Sequence, residues 1–294
     1  MIKLNASALK RTHCDQAFAY TCVDGLISTG YVEELNFGIA VHKFVELLSR
    51  ARHARPDDLF IEIAIDAYLA AQKMYSEVGG LEDRQLNAVC MAYEQIEDRL
   101  PAPYYHEKLF VEHYFEVHYK GILLCGTQDR ITFDGEYIDL YDVKTSREYD
   151  EEKMLAAYEN STQMMFYPMA IHLAPEQFSS DPAFIAAAKA MRIRMHIVPA
   201  FVNTSQRYPT PRWRIGPPIH LTAKRMTEYI ALVTSFIPSI VDIYSIGHGM
   251  KNGWVSEQCR KCDFARLCHE PDPEIAKIVR RESYITKPFD PKHL

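Results

Sequence analysis

Apolar residues recur at helical spacing through the first hundred positions and then switch to alternation. The chain therefore divides into a helical part and a strand-rich part. Ser7 is the expected cap of a first helix that carries Leu9 and Phe18 towards Tyr20. A second helix runs through FGIAVHKFVELLSRA, with Ile39, Val41, Phe44, Leu47 and Leu48 apolar, and two more are expected around 60–76 and 82–99. After Tyr104 the stretches EKLFVEHYFEVHY, GILLCGTQDRITF and EYIDLYDVKTS read as three strands, the last two joined at the turn signal Asp134-Gly135. A long helix over 151–173, a strand at MRIRMHIVPAFV, a Pro-rich loop over 203–218 and a helix around 222–246 follow. The expected core order is helix–β–β–β–helix–β, an α/β (mixed α+β) class. One domain is expected over 1–294, made of a helical portion (1–100), a core (104–202) and a cysteine-rich tail (203–294).

The composition belongs to a globular chain: 294 residues, 48% hydrophobic and 24% charged. Disorder, collagen-like repeats and a coiled coil are excluded. The formal charge is −6, which as a single sum argues against a polyanionic partner. The charges are segregated, however. Residues 57–98 hold ten acids against Lys73 and Arg84, a net of −8, and residues 189–225 hold eight Lys or Arg and no acid. The seven cysteines are an odd number, and MIKLNASALKRTHC lacks the apolar core of a secretion signal. No apolar run approaches the roughly 18 residues a membrane span needs. These features predict a reducing cytoplasmic setting without membrane contact, where clustered thiols hold metal.

Two constellations carry chemistry. The first is Cys259-x2-Cys262-x5-Cys268, three soft donors suited to zinc or an iron–sulfur cluster and one short of a closed four-ligand site. Other cysteines or histidines are candidates for the fourth. The second is Asp129, followed thirteen positions later by Asp142-Val143-Lys144. Residues two apart on a strand share a face, so Asp142 and Lys144 look into one site and the neighbouring strand delivers Asp129. Two hard oxygen donors suit Mg²⁺ or Mn²⁺. Glu112 on the preceding strand is a possible third carboxylate. Gln163 and Tyr167 lie one turn apart on a helix, and His42 interrupts an apolar helix in Gly38-x-Ala-x-His42.

The segments SALKRTHC, FGIAVH, GTQDRI, YDVKTS, QMMFY and CRKCDFARLC together resemble the RecB-type branch of the PD-(D/E)XK nucleases. Within that branch the likeness is to its iron–sulfur exonucleases: the CRISPR-associated RecB-like enzymes, the AddB nuclease domain and stand-alone phage and cellular exonucleases. The resemblance covers the chain from about Leu4 to Cys268. It implies a restriction-endonuclease-like core, with a central mixed sheet flanked by helices, and a tail stapled by iron and sulfur. It further implies that Cys14 joins Cys259, Cys262 and Cys268 around a [4Fe-4S] cluster, leaving Cys22, Cys90 and Cys125 as core thiols. His42, Asp129, Asp142 and the Val143 carbonyl would bind the divalent ion. Lys144 would be the catalytic lysine, with Gln163 and Tyr167 supporting the site. Gln128 stands where the family name has proline, and Glu112 is carried over more weakly.

The function implied is metal-dependent hydrolysis of DNA from free ends or in single strands. Arg192, Arg194, Arg207, Arg212, Trp213 and Arg214 are the candidates for contacting phosphates and bases. No phosphate loop of the form G-x4-G-K-[ST] occurs, so any unwinding falls to a helicase, recombinase or CRISPR-adaptation partner. The rival readings are a repair- or restriction-type endonuclease and a non-catalytic DNA-binding subunit. The intact Asp129, Asp142 and Lys144 favour an enzyme over the latter.

Overall fold

The computed structural model describes residues 1–12, 14–29, 32–77, 83–147, 150–159, 161–204, 209–249, 259 and 262–287. In chain order the helices are α1 (Ala6–Arg11), α2 (Asp15–Phe18), α3 (Val32–Ala54), α4 (Phe60–Glu77), α5 (Asp83–Met91), α6 (Glu94–Glu97), α7 (Glu151–Glu159), α8 (Thr162–Leu173), α9 (Pro182–Lys189), α10 (Ala223–Ile246), α11 (Ala265–His269) and α12 (Pro273–Ser283). The strands are β1 (Lys3–Leu4), β2 (Leu26–Ser28), β3 (Val111–Tyr119), β4 (Ile122–Phe133), β5 (Ile138–Ser146), β6 (Ile193–Phe201), β7 (Arg212–Trp213), β8 (Ile219–His220) and β9 (Tyr284–Thr286). The chain forms two compact units interleaved in sequence. One comprises Met1–Val32, Glu116–Gly126 and Lys224–Leu294, and the other Glu33–Phe115 and Thr127–Ala223.

The unit built on residues 33–115 and 127–223 contains the expected helix–βββ–helix–β order. Strands β4 and β5 pair antiparallel from Phe133↔Ile138 to Arg130↔Tyr141, around a turn in which Asp134 Oδ1 accepts from the Glu136 and Tyr137 amides. Gly135 holds φ +94° there, a conformation glycine adopts without steric cost. Strands β5 and β6 pair in parallel from Ile138↔Ile193 to Ser146↔Phe201. A parallel pair needs a crossover, and α7, α8 and α9 supply it. The core joins Phe37, Val41, Phe44 and Leu48 of α3 to Ile63, Ala67 and Ala71 of α4, Leu86 and Val89 of α5, and Tyr141, Val143 and Val198 of the sheet. These helical positions fall at spacings of three and four, which is why the pattern was legible before folding.

The long helix expected over 151–173 is two helices. Ser161 sits in extended backbone and its hydroxyl accepts from the Met164 amide, starting α8 afresh. A serine cap of this kind competes with a continuous helix. From Met164 to Ile171 every residue of α8 is buried, so the helix is apolar on all sides.

In the other unit β1 runs parallel to β4 through Lys3↔Leu123 and Leu4↔Leu124, and β2 pairs antiparallel with β9. Lys120 and Gly121 both take positive φ, 46° and 84°, which suits the two-residue turn between β3 and β4. The cap of α1 is Asn5, whose side chain accepts from the Ala8 amide; Ser7 lies inside the first turn. Among the described residues helix α10 is long and apolar enough to cross a membrane, although it holds no unbroken apolar run of that length. It contains an 18-residue stretch of mean hydropathy 1.6, of which 17% is buried. Its polar residues hid this from a search for unbroken apolar runs. The hydroxyls of Thr234, Ser235 and Ser245 donate back to carbonyls of the same helix, which satisfies their polarity within it. Length and composition do not by themselves separate a span from a helix of a globular unit.

Candidate active site

The site grows from the register of β4 and β5. The Arg130↔Tyr141 pair brings the next residues outward, Asp129 and Asp142, onto adjacent strands. Asp142 is 0% exposed and Asp129 7%. Lys144, two residues along β5, places Nζ 2.7 Å from Asp142 Oδ2. From α8, Gln163 Nε2 donates to Asp142 Oδ1 at 2.8 Å and to the Tyr167 hydroxyl at 3.0 Å. The Val143 amide donates to Asp129 Oδ2 at 2.6 Å, while the Val143 carbonyl accepts from Lys144 Nζ at 3.3 Å.

Helix α3 closes the site from another direction. His42 Nδ1 lies 3.4 Å from both Glu112 Oε1 and Asp129 Oδ1. Donor atoms of His42, Glu112 and Asp129 all fall within 4.8 Å of one another, the arrangement a cation needs. Glu112 holds φ +47°, left-handed backbone that costs a non-glycine residue on the order of 1–3 kcal/mol. Gly38, one turn before His42, approaches the end of β5 closely enough that an added Cβ would lie 3.4 Å from Thr145 Oγ1.

The electrostatics follow from burying like charges together. Burial alone would lower the His42 pKa, but Asp129 and Glu112 outweigh it and raise it to about 10. Burial opposes ionisation of Asp129, yet His42, Lys144 and the Val143 amide hold its pKa below the usual carboxylate range. Asp142 moves the other way. Burial, against Lys144 and reinforced by Asp129, raises it to about 6. Glu112 is raised by burial and then by Asp129. The Lys144 pKa is raised because Asp142 and Asp129 outweigh its burial.

Three observations suit a divalent cation. Its donors are hard oxygens with one imidazole. Asp142 Oδ2 is buried and, despite its distance to Lys144, receives no hydrogen bond of good geometry. His42 carries the proton that a cation would displace.

The sequence missed Tyr158. Its hydroxyl pKa is raised by burial, and Lys144 and Asp142 act on it, so it lies within the field of the site. The break before Ser161 brings the end of α7 and the start of α8 to that field, and the dipeptide Ser161-Thr162 is the signal that would have shown it. Gln128, 1% exposed, donates to the Tyr141 carbonyl and braces the two strands behind Asp129.

The basic segment does not assemble in this way. Trp213 is fully buried, donates from Nε1 to the Val89 carbonyl at 2.8 Å and packs edge-on against Tyr93, so it offers no face to a base. Arg212 is 8% exposed and stacks over Phe201. Arg194 is held by Asp139 and Asp134, Arg192 lies 3.8 Å from Glu136, and Arg214 lies 3.6 Å from Glu151. Arg207 lies outside the described residues. The absence of acids within 189–225 is thus made good by acids from elsewhere in the chain.

Of the cysteines, Cys22, Cys90 and Cys125 are buried, as core thiols are. Cys14, Cys259, Cys262 and Cys268 are half-buried. Cys14 and Cys262 pack against one apolar cluster of Ala17, Leu26, Phe264, Leu267, Val279 and Tyr284. The Cys262 thiol pKa is raised by burial, with Cys14 adding to the effect. Among the described residues the four sulfurs do not form a group as tight as the His42–Glu112–Asp129 trio.

No curated protein matches the chain in sequence. Among solved structures, the chain is similar to a protein from Eubacterium rectale named "Putative exonuclease", at 14% identity and a TM-score of 0.43, covering 87% of this chain and 90% of that one. It is also similar to SSO0001, at 14% identity and a TM-score of 0.28, covering 78% and 84%. Residues 3–269 match the family model described as the PD-(D/E)XK nuclease superfamily, and that span contains every residue of the site just described. The chain belongs to the PD-(D/E)XK nuclease superfamily.

Proposed function

We propose that this nuclease is a metal-dependent DNA exonuclease acting on free ends or single strands. The observation that carries the hydrolytic part is the convergence of Asp129, Asp142, Lys144, His42, Glu112 and Gln163 from β3, β4, β5, α3 and α8. His42, Glu112, Asp129 and Asp142 would hold Mg²⁺ or Mn²⁺. The bound ion would supply Lewis acidity towards a phosphodiester and lower the pKa of water from about 15.7 towards 7.

The chain's own residues do the rest. Gln163 fixes the Asp142 carboxylate and is itself fixed by Tyr167, so the acid cannot rotate away from the site. The Val143 amide pins one oxygen of Asp129 and directs the other towards His42. Lys144, fully cationic at neutral pH, is placed to balance negative charge that develops on phosphate oxygens in the transition state. Burial strengthens each of these interactions relative to water.

The resemblance to iron–sulfur exonucleases supports a [4Fe-4S] cluster held by Cys14, Cys259, Cys262 and Cys268. The shared apolar packing of Cys14 and Cys262 is in keeping with it. Such a cluster would tie residue 14 to residues 259–268 and act structurally. Purified under anaerobic conditions, the native protein is expected to absorb near 400 nm, and Cys259→Ala to lose that band. A colourless protein containing one zinc would replace the cluster with a zinc staple.

The test of the activity is digestion of a 5′-labelled single strand, a linear duplex and a closed circle with Mn²⁺. Loss of the linear substrates with the circle intact is the expected result. Cutting of the circle would transfer the protein to the endonuclease reading.

A further inference from the structure

Behind the strand that carries Asp129 lies a second cavity, of about 350 Å³, lined by residues of α3, β4 and the segment 93–103. Alternation along β4 turns Arg130 away from the metal-site face and into this cavity. Arg130 is 9% exposed. It donates to the Pro101 carbonyl at 2.9 Å and to the Ser49 hydroxyl at 2.6 Å, both neutral acceptors. Among the described residues it forms no ion pair. A guanidinium offers five N–H groups in a planar fork, and burying one without an anion is costly.

Tyr93 also lines this space. The Tyr93 hydroxyl belongs to a residue 1% exposed, and it has no hydrogen-bond partner among the described residues. Its ring is fixed edge-on against Phe44 and Trp213, so the hydroxyl cannot swing out to water. Arg52, also on the cavity wall, is neutralised by Glu97 at 2.8 Å. Besides Ser49 and His53, the wall therefore carries the Arg130 charge and the Tyr93 hydroxyl, neither answered by an anion or acceptor of its own among the described residues, and apolar residues that include Leu48 and Leu100. Its volume is that of a small-ligand pocket.

We propose that this cavity binds a small organic oxyanion, a carboxylate or phosphate carried on an apolar or aromatic body. Arg130 and the Tyr93 hydroxyl receive the anionic head, and Leu48 and Leu100 contact the body. The anion supplies the charge that Arg130 lacks and the acceptor that Tyr93 lacks. The site is separate from the phosphodiester chemistry, because its groups lie on the opposite face of β4 from Asp129.

The test is isothermal titration calorimetry on the full chain, in metal-free buffer without carboxylate or phosphate. Inorganic phosphate, thymidine monophosphate and benzoate are the three probes. Saturable one-site binding of at least one is expected. Tighter benzoate assigns a carboxylate ligand, and tighter thymidine monophosphate assigns a phosphate ester. Tyr93→Phe removes a hydroxyl that has no partner among the described residues, so its melting temperature should hold or rise. Its affinity for the anion should fall about tenfold, the worth of one hydrogen bond to a charged group. Glu97→Gln releases Arg52 to the cavity and should tighten binding. Failure of all three anions to bind, or unchanged affinity in a well-folded Tyr93→Phe, would overturn the proposal.

Discussion

Two charged regions of this protein behave in opposite ways on folding. The polar groups around Asp142 are scattered from His42 to Tyr167, yet strand register and two helices bring them close to one another. The basic residues of 189–225 are contiguous, yet folding disperses them. Trp213 enters the core, Arg212 is buried over Phe201, and Arg192, Arg194 and Arg214 are met by acids from other segments. Spacing tied to a strand period survives folding, because the backbone geometry that sets it is the same in every sheet. A local sum of charge does not, because partners come from anywhere in the chain.

The comparison breaks first at Lys144. Lys144→Met and Asp142→Asn should each lower the cleavage rate on the order of 10²–10³-fold or more while circular dichroism and melting stay near those of the wild type. Retained cleavage by either variant would remove that residue from the mechanism. Next comes Trp213. Read as a base-stacking residue it should affect only DNA binding; as a core residue, Trp213→Ala should cost about 3–5 kcal/mol of stability in denaturant titration. Glu112→Gln removes the more weakly implied ligand and should weaken metal binding about 10–100-fold, readable by calorimetry without DNA. The smallest effect belongs to Arg192→Ala and Arg214→Ala. Both pairs are surface ion pairs worth at most about 1 kcal/mol, so stability should hardly change. A steep loss of DNA affinity with a flatter salt dependence would instead restore these residues to a DNA track.

The pKa shifts add a pH test of the site half of the contrast. In the folded, metal-free protein His42 is raised from 6.5 to about 10. Its stabilising contribution is full below pH 6.5 and disappears as pH rises through 10. Asp142 is raised from 3.8 to about 6, so the stability that its neutral form contributes is full below pH 3.8 and is lost as pH rises through 6. Both signs agree: the metal-free protein should melt at progressively lower temperature from about pH 4 to pH 10. Mg²⁺ bound at the proposed site would displace the His42 proton, so the rise in melting temperature that it causes should grow with pH. A shift independent of pH would place the ion elsewhere.

Much of the catalytic framework was legible before folding. Asp142-x-Lys144 could be assigned to one face because alternation is a property of any strand. Asp129 could be matched to it because the turn at Asp134-Gly135 sets the register. His42 stood out as a polar residue on an apolar helix stripe. Tyr158 did not, because it lies on a helix whose end depends on the Ser161 cap rather than on apolar period. Trp213 was misjudged because an aromatic among basic residues looks the same whether it faces solvent or the helices of the core. The helix around 222–246 was legible, but its apolar stretch was not, because hydroxyls that bond back to its own carbonyls interrupt the apolar run in letters.

By itself, then, the amino-acid order determined the succession of helices and strands, the face shared by Asp142 and Lys144, and the chemical character of the metal ligands. These rest on local backbone geometry and on donor type, which need no knowledge of distant neighbours. Tertiary structure alone decided the approach of His42 and Glu112 to Asp129, the loss of Trp213 to the core, and the pairing of Arg192, Arg194 and Arg214 with acids. It also decided the seclusion of Arg130 and Tyr93 together in a second cavity. Those depend on which distant surfaces meet, and burial then settles whether a charge is balanced, hidden or left available for a ligand.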